Sequence, residues 1–164
     1  MKKIYLAIFL FLSVVSSYAQ KVVEGTFSPL VDEKIINIKI DYSESEIDEM
    51  PFEAFLEVEN RWEEGYNDIM IKFLKSLNKY SDGIIYSAKK ETNYRLVFKA
   101  MYVNRDGETK GHLLLYDKDN KIIGATQDFY VKGGRFGSQT NLMGDAAERL
   151  GKKISQFIKK QTKK

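Results

Sequence analysis

Between Pro51 and Tyr80 the chain carries one long apolar stripe. Phe52, Phe55, Leu56, Trp62, Tyr66, Ile69, Phe73, Leu74, Leu77 and Tyr80 fall at helical spacing. This predicts a helix with Pro51 at its first position and its end near Tyr80. At about 1.5 Å per residue it would be roughly 45 Å long. Glu53, Glu57, Glu59, Glu63 and Glu64 come early in it, and Lys72, Lys75 and Lys79 late. That order suits the helix macrodipole. Trp62 lies mid-stripe and is expected to be largely buried. A stripe of this length cannot stay wet, so the rest of the chain must offer a matching apolar face.

The flanking segments offer it as strands. In "EKIINIKIDYS", Ile36, Ile38, Ile40 and Tyr42 alternate with Asn37, Lys39 and Asp41, the pattern of a half-buried strand. "SESEIDEM" then reads as an acidic connector. Four strand-like runs follow the helix, at 84–90, 94–103, 112–117 and 121–131. Asp106-Gly107 and "DKDN" separate the later ones as hairpin turns. In the second run Leu96, Phe98, Ala100 and Tyr102 share one face, with Val97, Met101 and Val103 on the other. In the last, Ile123, Ala125, Phe129 and Val131 share a face, with Tyr130 opposite. A second amphipathic helix places Leu142, Met143, Ala146, Ala147, Leu150, Ile154, Phe157 and Ile158 on one side. The expected fold class is α+β: a two-layer sandwich in the order β-α-β-β-β-β-α, with an optional further strand at "VVEGTFS". Two helices would cover one face of a mixed, mostly antiparallel sheet.

The N-terminus has a different character. Lys2 and Lys3 precede the uncharged apolar run Ile4 to Val15, and Ser17-x-Ala19 follows. This predicts a secretory signal peptide over residues 1–19, cleaved before Gln20, and an exported, periplasmic or secreted product. The run is shorter than the roughly 20 residues a membrane-spanning helix needs, and no later stretch comes near that length. Residues 20–164 then form a single domain. Cysteine is absent, so disulfides, thiolate metal ligands and a lipid-modified Cys are all excluded. From Gln20 to Asp68 there are four Lys/Arg against fourteen Asp/Glu; from Ile69 onward there are twenty against nine. The helix macrodipole explains part of this asymmetry without any partner.

No motif predicts a cofactor or a metal. "YVKGGRFGSQTN" joins a strand to a helix through three glycines, an order also used to cradle phosphates. A P-loop needs G-x-x-x-x-G-K-[ST], but Gly144 and Gly151-Lys152 stand seven apart. "GGRFG" does not supply G-x-G-x-x-G. The glycines are expected to serve backbone geometry, with Ser138, Thr140 or Asn141 capping the helix. His112 is the only histidine and reads as an ordinary strand residue. "DKDNK" lacks the Gly and Glu of an EF-hand loop. Nucleic-acid binding is set aside because of the export signal and the acidic first half. The residues singled out for binding are Arg135 and Phe136, at the tip of the Gly-rich loop, and Tyr130, on the sheet face the helices leave open. An Arg beside an aromatic is a favoured interface anchor.

Taken together, the signal peptide, "FSPL…INIKIDYS…MPFEAFLEVENRWEEGY", the tyrosine-rich strands and "GDAAERLGKKISQFIKK" resemble uncharacterised exported proteins of Bacteroidota. The element order is also similar to small α/β domains of bacterial envelope proteins, such as the N-terminal domain of the TolB translocation protein. That resemblance implies action through protein contacts, with no catalytic residue to carry over. The leading expectation is therefore a non-enzymatic module that binds another envelope protein or a surface component. A carboxylate-based glycan hydrolase and a small-ligand carrier with a cavity between helix and sheet stay open as alternatives, and oligomeric state is not fixed.

Overall fold

A computed structural model describes residues 20–163; the expected signal peptide lies outside the described residues. The strands are β1 (Val22–Gly25), β2 (Ile35–Asp41), β3 (Glu46–Ile47), β4 (Met50–Pro51), β5 (Ile85–Ser87), β6 (Arg95–Val103), β7 (Thr109–Tyr116), β8 (Ile122–Thr126) and β9 (Phe129–Val131). The helices are α1 (Phe52–Val58), α2 (Trp62–Tyr80) and α3 (Gln139–Gln161), with a 3-10 turn at Ser28–Asp32. One mixed sheet runs in the order β1-β8-β7-β6-β2-β5. β2 is parallel to both β5 and β6, and every other pair along that order is antiparallel. The chain is an α+β protein in which helices pack on an open sheet, as its periodicities imply.

The core forms where the two apolar patterns meet. Ile36, Ile38, Ile40 and Tyr42 are all buried, as are Leu96, Phe98, Leu113 and Leu115 on the next strands. Ile69, Phe73 and Leu77 of α2 and Leu150, Ile154, Phe157 and Ile158 of α3 close over them. The optional strand is real: β1 pairs with β8 at the far edge of the sheet.

Four local expectations give way. First, the long helix breaks. α1 stops at Val58, and Glu59 leaves the helix with φ −96° and ψ 79°. Glu57 and Glu59 sit at the C-terminal end of α1, where the macrodipole disfavours anions. The break brings the rings of α1 onto Trp62 at the start of α2. In a straight helix Phe55 and Trp62 would lie about 10 Å apart; here their ring centroids are 5.7 Å apart. Phe52, Tyr42 and Tyr66 also pack on Trp62. Trp62 is consequently half-buried at the rim of the core rather than inside it. Leu56 and Tyr80, counted in the stripe, are exposed.

Second, the acidic connector forms a small hairpin. β3 pairs with β4 across Asp48 and Glu49, both at positive φ, which is the geometry of a two-residue primed turn. Third, the β6–β7 register shifts between Ala100 and Tyr102. The extra residue, Met101, turns Tyr102 out to the solvent face and returns Val103 to the core. Fourth, the last strand is interrupted at Gln127 and Asp128, giving β8 and β9 on the same side of β7. Ala125 stands opposite Leu114, on the face turned away from the helices, whereas Phe129 and Val131 join the core.

α2 and α3 run parallel. Gly65 lies against Thr140, Lys72 pairs with Asp145 at 2.8 Å, and Lys152 sits over the Tyr80 ring. The two glycines seven apart belong to this contact and to no phosphate. A Cβ at Gly151 would lie 2.6 Å from the Phe73 carbonyl oxygen and 3.0 Å from the Leu77 nitrogen, both backbone atoms of α2. One at Gly144 would meet only the end of the Lys72 side chain, at 3.1 Å. Within a helix, Gly→Ala normally gains up to about 1 kcal/mol. Gly144→Ala should therefore be neutral or mildly stabilising. Gly151→Ala should lose about 1–3 kcal/mol to overpacking. Urea unfolding of the two variants checks this contrast; equal midpoints would show that the helices are not in backbone contact.

Candidate functional site

A cleft of about 790 Å³ opens where β9 leaves the sheet. Its floor is β9 and the start of the Gly-rich loop, from Tyr130 to Arg135. The β6–β7 turn supplies one side, with Asp106 and Glu108. α3 supplies the other, with Arg149 and Lys153.

The loop reaches this position through its glycines. A Cβ at Gly133 would lie 1.7 Å from the Asp106 carbonyl oxygen, so only glycine lets the loop press against the turn. Gly137, at φ +123°, makes the bend into α3. Ser138 then caps the helix, its Oγ accepting from the Asn141 N–H at 3.4 Å. These three residues do the geometric work expected of them.

β9 is an edge strand on its outer side: among the described residues it pairs only with β7. α3 closes that edge with side chains instead of a strand. Lys153 Nζ donates to the Tyr130 carbonyl at 2.8 Å. Arg149 Nη1 donates to the Lys132 carbonyl at 2.6 Å and also to that of Gly133. Two cations are thereby held in place along the cleft, since a satisfied edge carbonyl fixes each head group. Lys132 and Arg135 also line the cleft, and neither forms an ion pair with a described residue. On the opposite side, Glu108 accepts from Asn104 Nδ2 at 3.0 Å. The same carboxylate, beside the Tyr130 phenol, raises that phenol above its ordinary value of 10.0.

Two of the three residues singled out in the sequence meet here. Tyr130 and Arg135 line the cleft. Phe136 does not; it projects from the loop tip, 90% exposed. Arg149 and Lys153 escaped the sequence reading because late basic residues on a helix are already explained by its dipole. Their signal was an i, i+4 pair on the polar face of α3, on the side that faces β9.

The alternative chemistries fare differently. Asp106 and Glu108 share the cleft, but both come from one short turn. A two-carboxylate glycosidase places its acids on either side of the bond to be cut. A carrier cavity between helix and sheet finds no room among Ile38, Phe73, Leu77, Leu96 and Phe98, which are fully buried there. "DKDN" is a hairpin turn: the Asp117 carboxylate accepts from the N–H groups of Asp119 and Lys121, both at 2.9 Å. His112 lies on the open sheet face, its Nδ1 4.0 Å from Asp128. That face is laced with charge. Lys110 pairs with Asp128 at 2.9 Å, and Arg95 sits over the Tyr116 ring. Val97 and Leu114 lie between them and are buried even without a covering helix.

No family model matches the chain, and no curated protein matches it. Solved structures do. One is an uncharacterised protein with TM-score 0.43 and 9% identity, over 76% of this chain and 89% of that one. Another is the PelC dodecamer from Paraburkholderia phytofirmans, with TM-score 0.39 and 10% identity, over 88% and 98% respectively. Both likenesses are too distant to bear on function. Among the described residues no helix is long and apolar enough to cross a membrane.

Proposed function

We propose that the chain is an exported, non-catalytic module that binds another component of the cell envelope through the cleft beside the Gly-rich loop. The observation that carries this reading is the set of exposed side chains in and just beyond that cleft. Arg135 is exposed there without an ion-pair partner, Tyr130 is 47% exposed, and Phe136 stands almost wholly in solvent one residue further on. Exposed aromatics and arginine on a rigidly anchored loop are what binding surfaces use. Export is supported by the charge and hydropathy pattern of residues 1–19 and rests on the sequence alone.

The test is affinity capture from native envelope extract with the wild-type protein and with Arg135→Ala/Phe136→Ala. Neither side chain contributes to the core, so the double variant should melt within about 1–2 °C of wild type, as surface changes do. It should lose one or more proteins or surface polymers that the wild type retains. Equal capture by both forms would make the loop a connector and refute the reading.

A further inference from the structure

We infer that the cleft binds a carboxylate-bearing glycan, a sugar chain with acid groups spaced along it. This rests on the binding-module reading above and names the ligand of the same site. Four cations, Lys132, Arg135, Arg149 and Lys153, face two carboxylates across the cleft. One of those carboxylates, Glu108, already accepts from Asn104. The balance is cationic, and the cations keep donors to give. Lys153 spends one of its three on the Tyr130 carbonyl. Arg149 spends only its Nη1 group on the loop carbonyls. Its Nε and Nη2 hydrogens have no partner among the described residues and suit a planar carboxylate. Because both side chains are tethered, little entropy is lost when they bind an acid group.

Three features favour an acidic sugar chain over other anions. The cleft is an open trough, which suits a polymer lying across it. Asp106 and Glu108 line one side, where they would repel most strongly a chain whose charges lie close together, such as polyphosphate, but would accept hydrogen bonds from the hydroxyls of a sugar chain whose acid groups are a whole ring apart. Tyr130 in the cleft offers a flat apolar face of the kind on which sugar rings stack, and Phe136 projects into solvent beyond Arg135, outside the cleft. A run of acidic residues such as polyglutamate would match the cations but brings neither hydroxyls for Asp106 and Glu108 nor ring faces for Tyr130.

The probe is a defined oligogalacturonate, titrated into the full-length purified protein by calorimetry at low ionic strength. A neutral dextran of equal length, polyglutamate and polyphosphate serve as comparison ligands. Oligogalacturonate should bind, dextran should not, and the two non-sugar polyanions should bind more weakly. Affinity should fall steadily with salt. Lys132→Gln/Arg135→Gln should weaken binding at least about tenfold, the loss expected from two charge-assisted contacts, with an unchanged melting temperature. Lys75→Gln/Lys160→Gln makes the same change in net charge elsewhere on the surface and should leave affinity within about twofold, the range of an exposed, unpaired charge. The inference is overturned if oligogalacturonate does not bind, if both double variants weaken it equally, or if polyglutamate or polyphosphate binds more tightly. Should envelope capture still depend on Arg135 and Phe136 in that event, the binding-module reading stands and only the ligand class falls.

Discussion

Phe129→Ala should lower the unfolding free energy by about 3–5 kcal/mol, the range for emptying a buried aromatic site. In a domain of this size that is a fall in melting temperature of roughly 10 °C. Phe129 is fully buried, and its ring joins two others edge-on. Phe98 of β6 lies 6.2 Å away and Phe157 of α3 lies 5.9 Å away. Phe157 in turn meets Phe27 at 5.1 Å. Across the strand pair stands Gly111, where a Cβ would lie 2.1 Å from the Lys99 carbonyl oxygen. The residue directly opposite Phe129 on β7 therefore has no side chain with which to fill the space that Phe129 leaves. β9 is only three residues long, and Phe129 and Val131 are its two anchors in the core. The loss should extend to the cleft, whose floor begins at the next residue. Denaturant unfolding gives the first number, and hydrogen exchange at Tyr130 and Lys132 the second. A penalty below about 1 kcal/mol would show that the core relaxes into the site.

Alkaline solution should unfold the protein well before it would disturb one whose tyrosines were all exposed. Tyr42 and Tyr86 are each only 4% exposed, and burial pushes both phenols far above the ordinary value of 10.0. Tyr66, whose hydroxyl donates to the Ile40 carbonyl at 2.8 Å, is raised for the same reason. The sign follows from linkage. The folded state keeps these protons and the unfolded state gives them up near pH 10, so their stabilising contribution is complete below pH 10 and declines above it. Well above pH 10 each such phenol costs about 1.4 kcal/mol per pH unit, and about 1 kcal/mol over the first unit, where the unfolded phenol is only partly ionised. Tyr42 and Tyr86 together should cost about 2 kcal/mol between pH 10 and 11. Melting curves from pH 9 to 12, followed by tyrosinate absorbance, check this. The buried tyrosines should ionise in step with unfolding, and Tyr86→Phe should make the decline shallower. Tyrosinate formation at these positions in a protein that remains folded would refute it.

The parts of the fold visible in the sequence are those set by burial on one face. The isoleucines of β2 and the apolar positions of α3 from Met143 to Ile158 lie in the core, because a period of 2 or 3.6 against a single apolar surface leaves no other solution. The misplaced parts are where one residue shifts the phase. Met101 adds a residue to β6, and the alternation before it says nothing about Tyr102 and Val103 after it. The break at Glu59 is hidden in the same way: Trp62 keeps helical spacing with Phe55, yet the two rings meet only because the chain leaves the helix between them. The candidate site was legible only in part. Arg135 could be named because an arginine on a loop is conspicuous, and Tyr130 because it alternates opposite Phe129 and Val131 onto the sheet face the helices leave open. Arg149 and Lys153 could not, because what gives them a role is the open edge of β9, and that edge exists only once the register of β7, β8 and β9 is known.

The placement of β1 and Phe27 also governs the order in which the chain can be completed. β1 pairs with β8, about a hundred residues later in the sequence, and Phe27 finds its ring partner in Phe157, later still. Contacts so distant along the chain carry a large loop-closure cost and form slowly. A ribosome that has made everything up to β7 has produced an N-terminal segment with no strand to pair with and no helix to cover Phe27. The sheet edge at Val22 and the core beneath it close only when the last helix has been synthesised, so the beginning of the chain is the last part to be committed.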